Sequence, residues 1–363
     1  MERLEVEQRL LARMVYRRSR GTPLQYILGS QPFGNLEIEC REGVLIPRSE
    51  TETYTEQVAQ ILSQLIRHVD KGLDTKHSQR KRIRILELCS GTGCIGLLLH
   101  SILKPPSAAT SSNRGSVNED LDLEILGLDI SERAINLARA NLRSNVEKGH
   151  LHLEALTDIQ FAKCDIRDVD SIPDELYIET VVGGNGTTHA SFRPKSKDRD
   201  EHNTSWDIVI ANPPYISKKE FIGSGVVEKS VRRYEPRLAL IPPDDAQAAD
   251  QPNQPDLFYR LLLSIAGKLH ASILIMEVGD TAQASRVLRL ASKKLASDDT
   301  QPQIESWRDD GYVRQFPMHN PQPNMDRETK AKASAMEENV SDRVVVCWRN
   351  EWATWRREST INS

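Results

Sequence analysis

The sequence predicts an α/β fold: a doubly wound parallel sheet with helices packed on it. Two observations carry the prediction. From Arg82 onward, short apolar runs of strand length alternate with longer segments of helical periodicity. Strands separated by helices lie parallel, because each crossover carries the chain back to the edge it left. The runs at 83–88, 121–128 and 207–211 also lead into Cys89-Ser90-Gly91, Asp129 and Asn212. In an open sheet such strand ends share one edge, where ligands bind.

A small helical and β-hairpin segment precedes the sheet. Leu4, Leu10, Leu11, Met14 and Val15 recur at helical spacing until Gly21-Thr22-Pro23 breaks the pattern. Residues 24–34 and 36–46 mix apolar and polar side chains around Gly29, Gly34 and Gly43, as short strands and turns do. Tyr54, Val58, Ile61, Leu62 and Leu65 return to a helical period shortly after Pro47. The first sheet strand, 83–88, is followed by a Gly-bearing turn and a helix over 95–103. The second, 121–128, ends in Asp129, and Ser131 can cap a helix that buries Ala134, Leu137, Ala138 and Leu142. A third lies within 151–162 and leads to Asp165. The fourth, 207–211, runs straight into Asn212. A helix over 257–269 precedes the fifth, 272–278, and 344–348 closes the sheet. Residues 1–50 thus form a small N-terminal segment and 51–363 the main domain. Polar stretches near 105–118, 182–203, 242–255 and 319–339 cannot build a core and are expected as surface loops, disordered in part.

The 363 residues are 38% hydrophobic and 28% charged, which supports a sizeable core. A net charge of −4 gives no global attraction to polyphosphate, so a nucleic-acid partner would need a local patch. Arg80 to Arg84 is a local basic run, read as a solvated start to a strand. The five cysteines (Cys40, Cys89, Cys94, Cys164 and Cys347) are scattered and odd in number. No second Cys/His pair accompanies Cys89 and Cys94, so reduced thiols and no metal are expected. No apolar run approaches the ~20 residues that span a bilayer. The Arg-rich amphipathic N-terminus suits a mitochondrial transit segment, whereas Glu2, Glu5 and Glu7 suit an ordinary helix.

Chemistry concentrates in two segments. Glu87-Leu88-Cys89-Ser90-Gly91-Thr92-Gly93-Cys94-Ile95-Gly96 follows a strand and opens a helix. Gly91 and Gly93 would let backbone approach a ligand without a Cβ in the way. A tight strand-to-helix turn would look the same. Asp129, at the end of the next strand, can accept both ribose hydroxyls of an adenosine group, or simply favour a helix start. Asp165 is placed either against an adenine amino group or in solvent. Gly91 to Gly96 satisfies the dinucleotide fingerprint literally. Glu87 beside a ligand would repel phosphates, however, and suit a positively charged sulfonium with its amino-acid tail, pointing to S-adenosylmethionine.

Asn212-Pro213-Pro214-Tyr215 is the more specific segment. Two prolines fix φ and remove donors, leaving a stiff turn with carbonyls free to accept. An amide or exocyclic amino nitrogen is a poor nucleophile, because its lone pair is delocalised. If the Asn212 side-chain oxygen and the Pro213 carbonyl accept its N–H groups, the nitrogen is held in line with a methyl group and its developing charge is stabilised. Tyr215 would pack on the planar group.

With these segments the chain resembles the release-factor glutamine methyltransferases of the HemK/PrmC group. The resemblance runs from Gly21 to about Gly279. It includes Gly21-Thr22-Pro23-Leu24-Gln25-Tyr26-Ile27-Leu28-Gly29, Leu45-Ile46-Pro47-Arg48, Tyr234-Glu235-Pro236-Arg237-Leu238-Ala239-Leu240 and Met276-Glu277-Val278-Gly279. Where the family has Pro-Asp this chain has Ser49-Glu50, so Pro47, Arg48, Thr51 and Glu52 carry over. The resemblance implies a Rossmann-like class I S-adenosylmethionine-dependent methyltransferase acting on the glutamine amide nitrogen of the Gly-Gly-Gln loop in a class I peptide release factor. It places Cys89, Ser90, Gly91, Thr92, Gly93, Asp129 and Ile166 at the cofactor, joined by Glu87, Asp165 and Asn212. It places Arg48, Thr51, Glu52 and Asn212 to Tyr215 at the substrate, with Asn212, Pro213, Pro214 and Tyr215 catalytic. Residues 1–50 would be a shortened substrate-docking segment. The Ile-Pro-Arg segment, absent from cytosolic eukaryotic relatives, implies a mitochondrial enzyme and release factor, with a cytoplasmic location as the alternative. An adenine-N6 methyltransferase of DNA or RNA, and a non-catalytic binding module, are the competing readings.

Overall fold

The computed structural model describes residues 2–72, 81–106, 121–171, 176–182, 188–194, 206–223, 225, 227–243, 254–296, 302–316 and 341–361. The N-terminal segment comprises α1 (Glu2–Ser19), α2 (Leu24–Leu28) and a hairpin of β1 (Ser30–Phe33) and β2 (Leu36–Glu39). Strand structure therefore begins only at Ser30. Residues 24–28 are a short helix, closed by Gly29 in the left-handed region at φ 92°. The spacing in α1 does give a helix, yet Leu4, Leu10, Leu11 and Val15 remain 56–63% exposed.

The chain continues with α3 (Ser49–Gly72), β3 (Lys81–Leu88), α4 (Cys94–Leu103), β4 (Leu121–Asp129), α5 (Glu132–Glu147), α6 (Ala155–Asp158) and β5 (Ile159–Lys163). There follow β6 (Leu176–Val182), β7 (Thr188–Pro194), β8 (Ile208–Ala211), α7 (Lys218–Ile222) and α8 (Lys229–Tyr234). The last elements are α9 (Leu257–Lys268), β9 (Ile273–Glu277), α10 (Thr281–Leu295), β10 (Gln303–Arg308), β11 (Val313–Phe316), β12 (Asp342–Trp348) and α11 (Asn350–Ile361).

One ten-stranded sheet runs β11-β10-β12-β9-β8-β3-β4-β5-β7-β6. Its centre is parallel, from β9 through β8, β3 and β4 to β5. The expectation of a wholly parallel sheet is corrected at both edges. β12 inserts antiparallel between β9 and β10, β11 pairs antiparallel with β10, and β6 pairs antiparallel with β7. β7 also falls inside 182–203, which was expected to be loop. The expected loops at 107–118, 244–253 and 319–339 lie outside the described residues.

Alternation along each strand divides the core. Ile83 and Ile85 of β3 and Ile273 and Ile275 of β9 join the apolar residues of α3, α4 and α5, whereas Leu86, Leu88, Leu274 and Met276 join those of α9 and α10. Three acids share the phase of the first group. Glu87, Glu277 and Glu305 are buried at 0%, 2% and 0% exposure on the face that α3, α4 and α11 cover. Each needs partners, because an isolated buried charge is costly.

Glu305 has them. Arg356 of α11 donates to both its oxygens (2.9 and 3.1 Å), joined by Gln303 Nε2 (2.6 Å) and Trp307 Nε1 (2.9 Å). Breaking such a pair from one side strands the other charge, at ~3–5 kcal/mol. Arg356→Met is therefore expected to lower the urea midpoint by that amount with an unchanged slope. The double variant Arg356→Met/Glu305→Leu should recover most of the loss. Additive losses would show that the pair is not the cause.

Candidate active site

The carboxyl ends of β3, β4, β5 and β8 open on one cleft of about 850 Å³, partly open to solvent. Its walls include Cys89, Gly91, Asp129, Asp165, Ile166, Asn212 and Pro214, with Val44 and Leu238 across from them. Gly91, Asp129, Asp165 and Asn212, 36 to 121 positions apart in sequence, meet here because parallel strands deliver their ends to the same edge.

The turn after β3 is left-handed at Cys89 (φ 60°), Gly91 (φ 55°) and Gly93 (φ 76°). A Cβ on Gly91 would meet nothing within 4 Å, so this glycine does leave open space at the cleft. Gly93 does not: its Cβ would lie 2.7 Å from Phe161 Cζ and 3.1 Å from Ala138 Cβ. That glycine serves close packing of α4 against α5 and β5. Thr92 and Ser90 are buried and do not line the cleft. Thr92 accepts from Asn141 Nδ2 at 3.1 Å through its carbonyl, which ties the turn to α5.

Asp129 is held by two backbone donors. Its Oδ2 accepts from Gly91 N (2.9 Å) and its Oδ1 from Ser131 N (2.8 Å). Each oxygen keeps a further lone pair. Burial raises its pKa above the usual range, and the two backbone donors oppose that shift. Asp165 is bonded to the Arg167 guanidinium and backbone, which lower its pKa. It lies in the cleft wall with its charge compensated.

Glu87 is placed differently from the sequence expectation. It does not line the cleft but points into the α3–α4 face, where its Oε2 accepts from Gly96 N at 3.0 Å. Desolvation pushes its carboxyl up to about 8. A Cβ on Gly96 would fall 2.7 Å from that oxygen, so this glycine makes room for the acid and not for a ligand.

The turn after β8 is braced from behind. Asn212 Nδ2 donates to Thr51 Oγ1 (3.3 Å), leaving Oδ1 as the accepting end of the amide. Pro213 and Pro214 are buried, and Pro214 reaches the cleft. Tyr215 does not: its ring lies 3.0 Å from the position a Cβ would take on Gly279, and its hydroxyl donates to Glu277 Oε1 (3.2 Å). It supports the turn, a different task from packing on a substrate. Thr51, 2% exposed, likewise sits behind Asn212, and Glu52 is half-buried in the first turn of α3. Arg48 is committed to Glu235, to whose oxygens it donates at 2.7 and 2.8 Å, while Ile46 N donates to the same carboxylate (3.2 Å). This pair clamps the 45–48 segment to the loop that follows α8.

Residues that sequence reasoning left without a role are Glu235, Glu277 and Gln283. Gln283 of α10 bridges Tyr215 O (3.3 Å), Gly279 N (2.8 Å) and Asp256. The signal for Glu277 was present: an acid at the end of an apolar strand, as with Asp129. Among the described residues no group of three or more His, Cys, Asp or Glu could hold a metal ion, and no helix is long and apolar enough to cross a membrane. Burial pushes the Cys89 thiol up, so it is no thiolate nucleophile.

The strand order β5-β4-β3-β8-β9-β12-β10, with only β12 reversed, and a cleft over the strand ends with Asp129 and Asn212 in its wall define a Rossmann-like class I S-adenosylmethionine-dependent methyltransferase. Residues 124–235 match the family model of the Eco57I restriction-modification methylases. A Schizosaccharomyces pombe protein named as a probable mitochondrial N(5)-glutamine methyltransferase of MRF1 is 29% identical over 281 residues, 75% of this chain and 69% of that one. The Saccharomyces cerevisiae protein named as the mitochondrial MRF1 N(5)-glutamine methyltransferase is 32% identical over 224 residues, 62% of this chain and 51% of that one. A release factor glutamine methyltransferase of Haemophilus influenzae is 28% identical over 239 residues, 66% and 59% of the two chains. The chain thus spans between about half and two thirds of the length of these relatives. These relatives carry the name of the group that the sequence resembles, the release factor glutamine methyltransferases.

Proposed function

We propose that the protein transfers a methyl group from S-adenosylmethionine to the side-chain amide nitrogen of the glutamine in the Gly-Gly-Gln loop of a class I peptide release factor. The observation that carries this reading is the fixed orientation of Asn212: with Nδ2 engaged by Thr51, the end left over is an acceptor, as a substrate N–H requires. A cleft with open space at Gly91 and spare lone pairs on Asp129 fits an adenosine group with its two ribose hydroxyls. The bound donor supplies an electrophilic methyl group. The chain's own part is orientation and charge. Asn212 Oδ1 and the Pro213 carbonyl accept the two N–H groups of the amide, and their dipoles stabilise positive charge developing on nitrogen. Pro213 and Pro214 hold those acceptors still.

A mitochondrial release factor is the proposed partner, supported by the names of the two yeast relatives. Residues 1–50 are proposed to contribute to docking it, and 51–363 to carry the chemistry. The match to a restriction-modification methylase supports a nucleic-acid base as a second reading, and the adenine amino group is planar in the same way as the amide. Incubation with labelled methyl donor and either a release factor or duplex DNA separates the two. Label is expected on the glutamine of the factor. Label entering DNA and not the factor overturns the reading.

A further inference from the structure

The bonds that brace Asn212 continue away from the cleft and end on a carboxylate. Asn212 Nδ2 donates to Thr51 Oγ1 (3.3 Å), Thr51 Oγ1 donates to Glu277 Oε2 (2.7 Å), and Tyr215 Oη donates to Glu277 Oε1 (3.2 Å). The backbone carbonyl of Glu277 accepts from Tyr259 Oη (3.0 Å). Thr51 and Glu277 are each 2% exposed, and neither lines the cleft. Neither therefore touches a substrate.

We propose that Glu277 is a positioning residue for methyl transfer: as a carboxylate it sets the direction of this hydrogen-bond chain, and so decides which end of the Asn212 amide meets the substrate. The inference rests on the reading of Asn212 as acceptor for the substrate N–H. An ionised carboxylate has lone pairs only. The Thr51 hydroxyl must then give its proton to Glu277 and offer a lone pair to Asn212, which holds Nδ2 inward and Oδ1 toward the cleft. A protonated Glu277, or a glutamine in its place, brings a donor. Thr51 is then free to turn its proton to Asn212, and the amide reverses, setting its NH2 against the N–H of the substrate. Two donors make no bond.

The surroundings put this switch within reach of ordinary pH. Glu277 faces Glu50, Thr51 and Tyr54 of α3, Cys94 of α4, Tyr215 and Tyr259. Of the cations nearby, Arg48 is held by Glu235, and Arg343 of β12 donates to Gly279 O (2.6 Å). Desolvation outweighs the bonds from Thr51 and Tyr215 and pushes the carboxyl up to about 7. Transfer that needs the ionised form rises with pH through that value and levels above it.

Turnover at saturating donor and acceptor, followed across pH in the full chain, tests the proposal. Glu277→Gln is expected to lower kcat about 10²-fold, the scale of a misplaced reacting group. Donor KM should stay unchanged and the pH limb should vanish. Thr51→Val should behave alike, Thr51→Ser should restore turnover, and the double variant Glu277→Gln/Thr51→Val should be no worse than either alone. Wild-type kcat in Glu277→Gln overturns the proposal. So do losses that add in the double variant while the pH limb persists, the signature of a merely structural role. If the wild type methylates adenine and not the release factor, the functional reading falls, and the same variants assayed on adenine decide the role of Glu277.

Discussion

Replacing Asn212 by alanine is expected to lower kcat about 10²–10³-fold, the cost of removing one preorganised dipole from a developing charge. Donor affinity should change little, because the bonds that shape the donor side of the cleft run through Gly91, Asp129 and Ser131 and involve no atom of Asn212. Thr51 loses one partner in the variant but keeps Glu277 at 2.7 Å, so the first turn of α3 should stay in place. Single-turnover transfer with labelled donor measures the first effect, and calorimetric titration with the donor or its demethylated product measures the second. Asn212→Asp provides the internal control. It retains an acceptor toward the substrate but gives up the donor to Thr51 and brings a second carboxylate near Glu277. Its turnover should lie between alanine and wild type. Unchanged turnover in Asn212→Ala would remove this residue from its assigned place, whatever the substrate.

The parts of this site that were legible in the sequence are those that follow from one strand at a time. An apolar run that stops at a Gly-rich turn, an acid or Asn-Pro-Pro announces a strand end, and parallel topology then brings such ends together. Gly91, Asp129 and Asn212 were found in that way, and the cleft contains all of them. What lay out of reach depends on phase and on partners distant in sequence. Glu87 was read as facing a ligand, yet it shares the period-2 phase of Ile83 and Ile85, which directs it to the α3–α4 face. That phase could have been counted. The packing duty of Gly93 could not, because it needs Phe161 and Ala138 beside the turn. Arg48 was carried over as a substrate contact, and only the fold shows Glu235, 187 residues away, taking its charge.

The same distinction explains the sheet edges. β8 (IVIA) and residues 273–276 of β9 are continuously apolar, as strands buried on both faces must be. β10 carries Gln303, Glu305 and Ser306, and QIESWR neither runs apolar as those strands do nor alternates cleanly, so nothing in it marks a strand. Its polar groups are buried only because α11 supplies Arg356 over Trp348, at 5.3 Å from the ring centre. β7 pairs with β6 along seven residue pairs and touches β5 at Lys163, in a stretch whose composition alone suggested a polar insertion. Strand pairing there overrides composition.

Asp129→Asn is expected to weaken donor binding about 10²–10⁴-fold while kcat at saturating donor stays within about tenfold. The carboxylate satisfies Gly91 N at 2.9 Å with one oxygen and Ser131 N at 2.8 Å with the other, so both oxygens must accept. An asparagine can present only one oxygen. Its NH2 necessarily faces one of the two backbone N–H groups, leaving a buried donor unpaired at ~1–3 kcal/mol, and it forfeits a charge-assisted bond to a ribose hydroxyl worth ~1.5–3 kcal/mol. At ~1.4 kcal/mol for each factor of ten, these losses set the expected range. The pH dependence gives the sign independently. Burial holds the Asp129 pKa above its usual value, so the proton returns to this group earlier on acidification than to an exposed aspartate. Since binding needs the carboxylate, donor affinity should fall as pH drops through that raised pKa in the wild type and stay flat in Asp129→Asn. A variant with wild-type donor affinity, or one that retains the acid limb, would show that the ribose is held elsewhere and that Asp129 serves only to start α5.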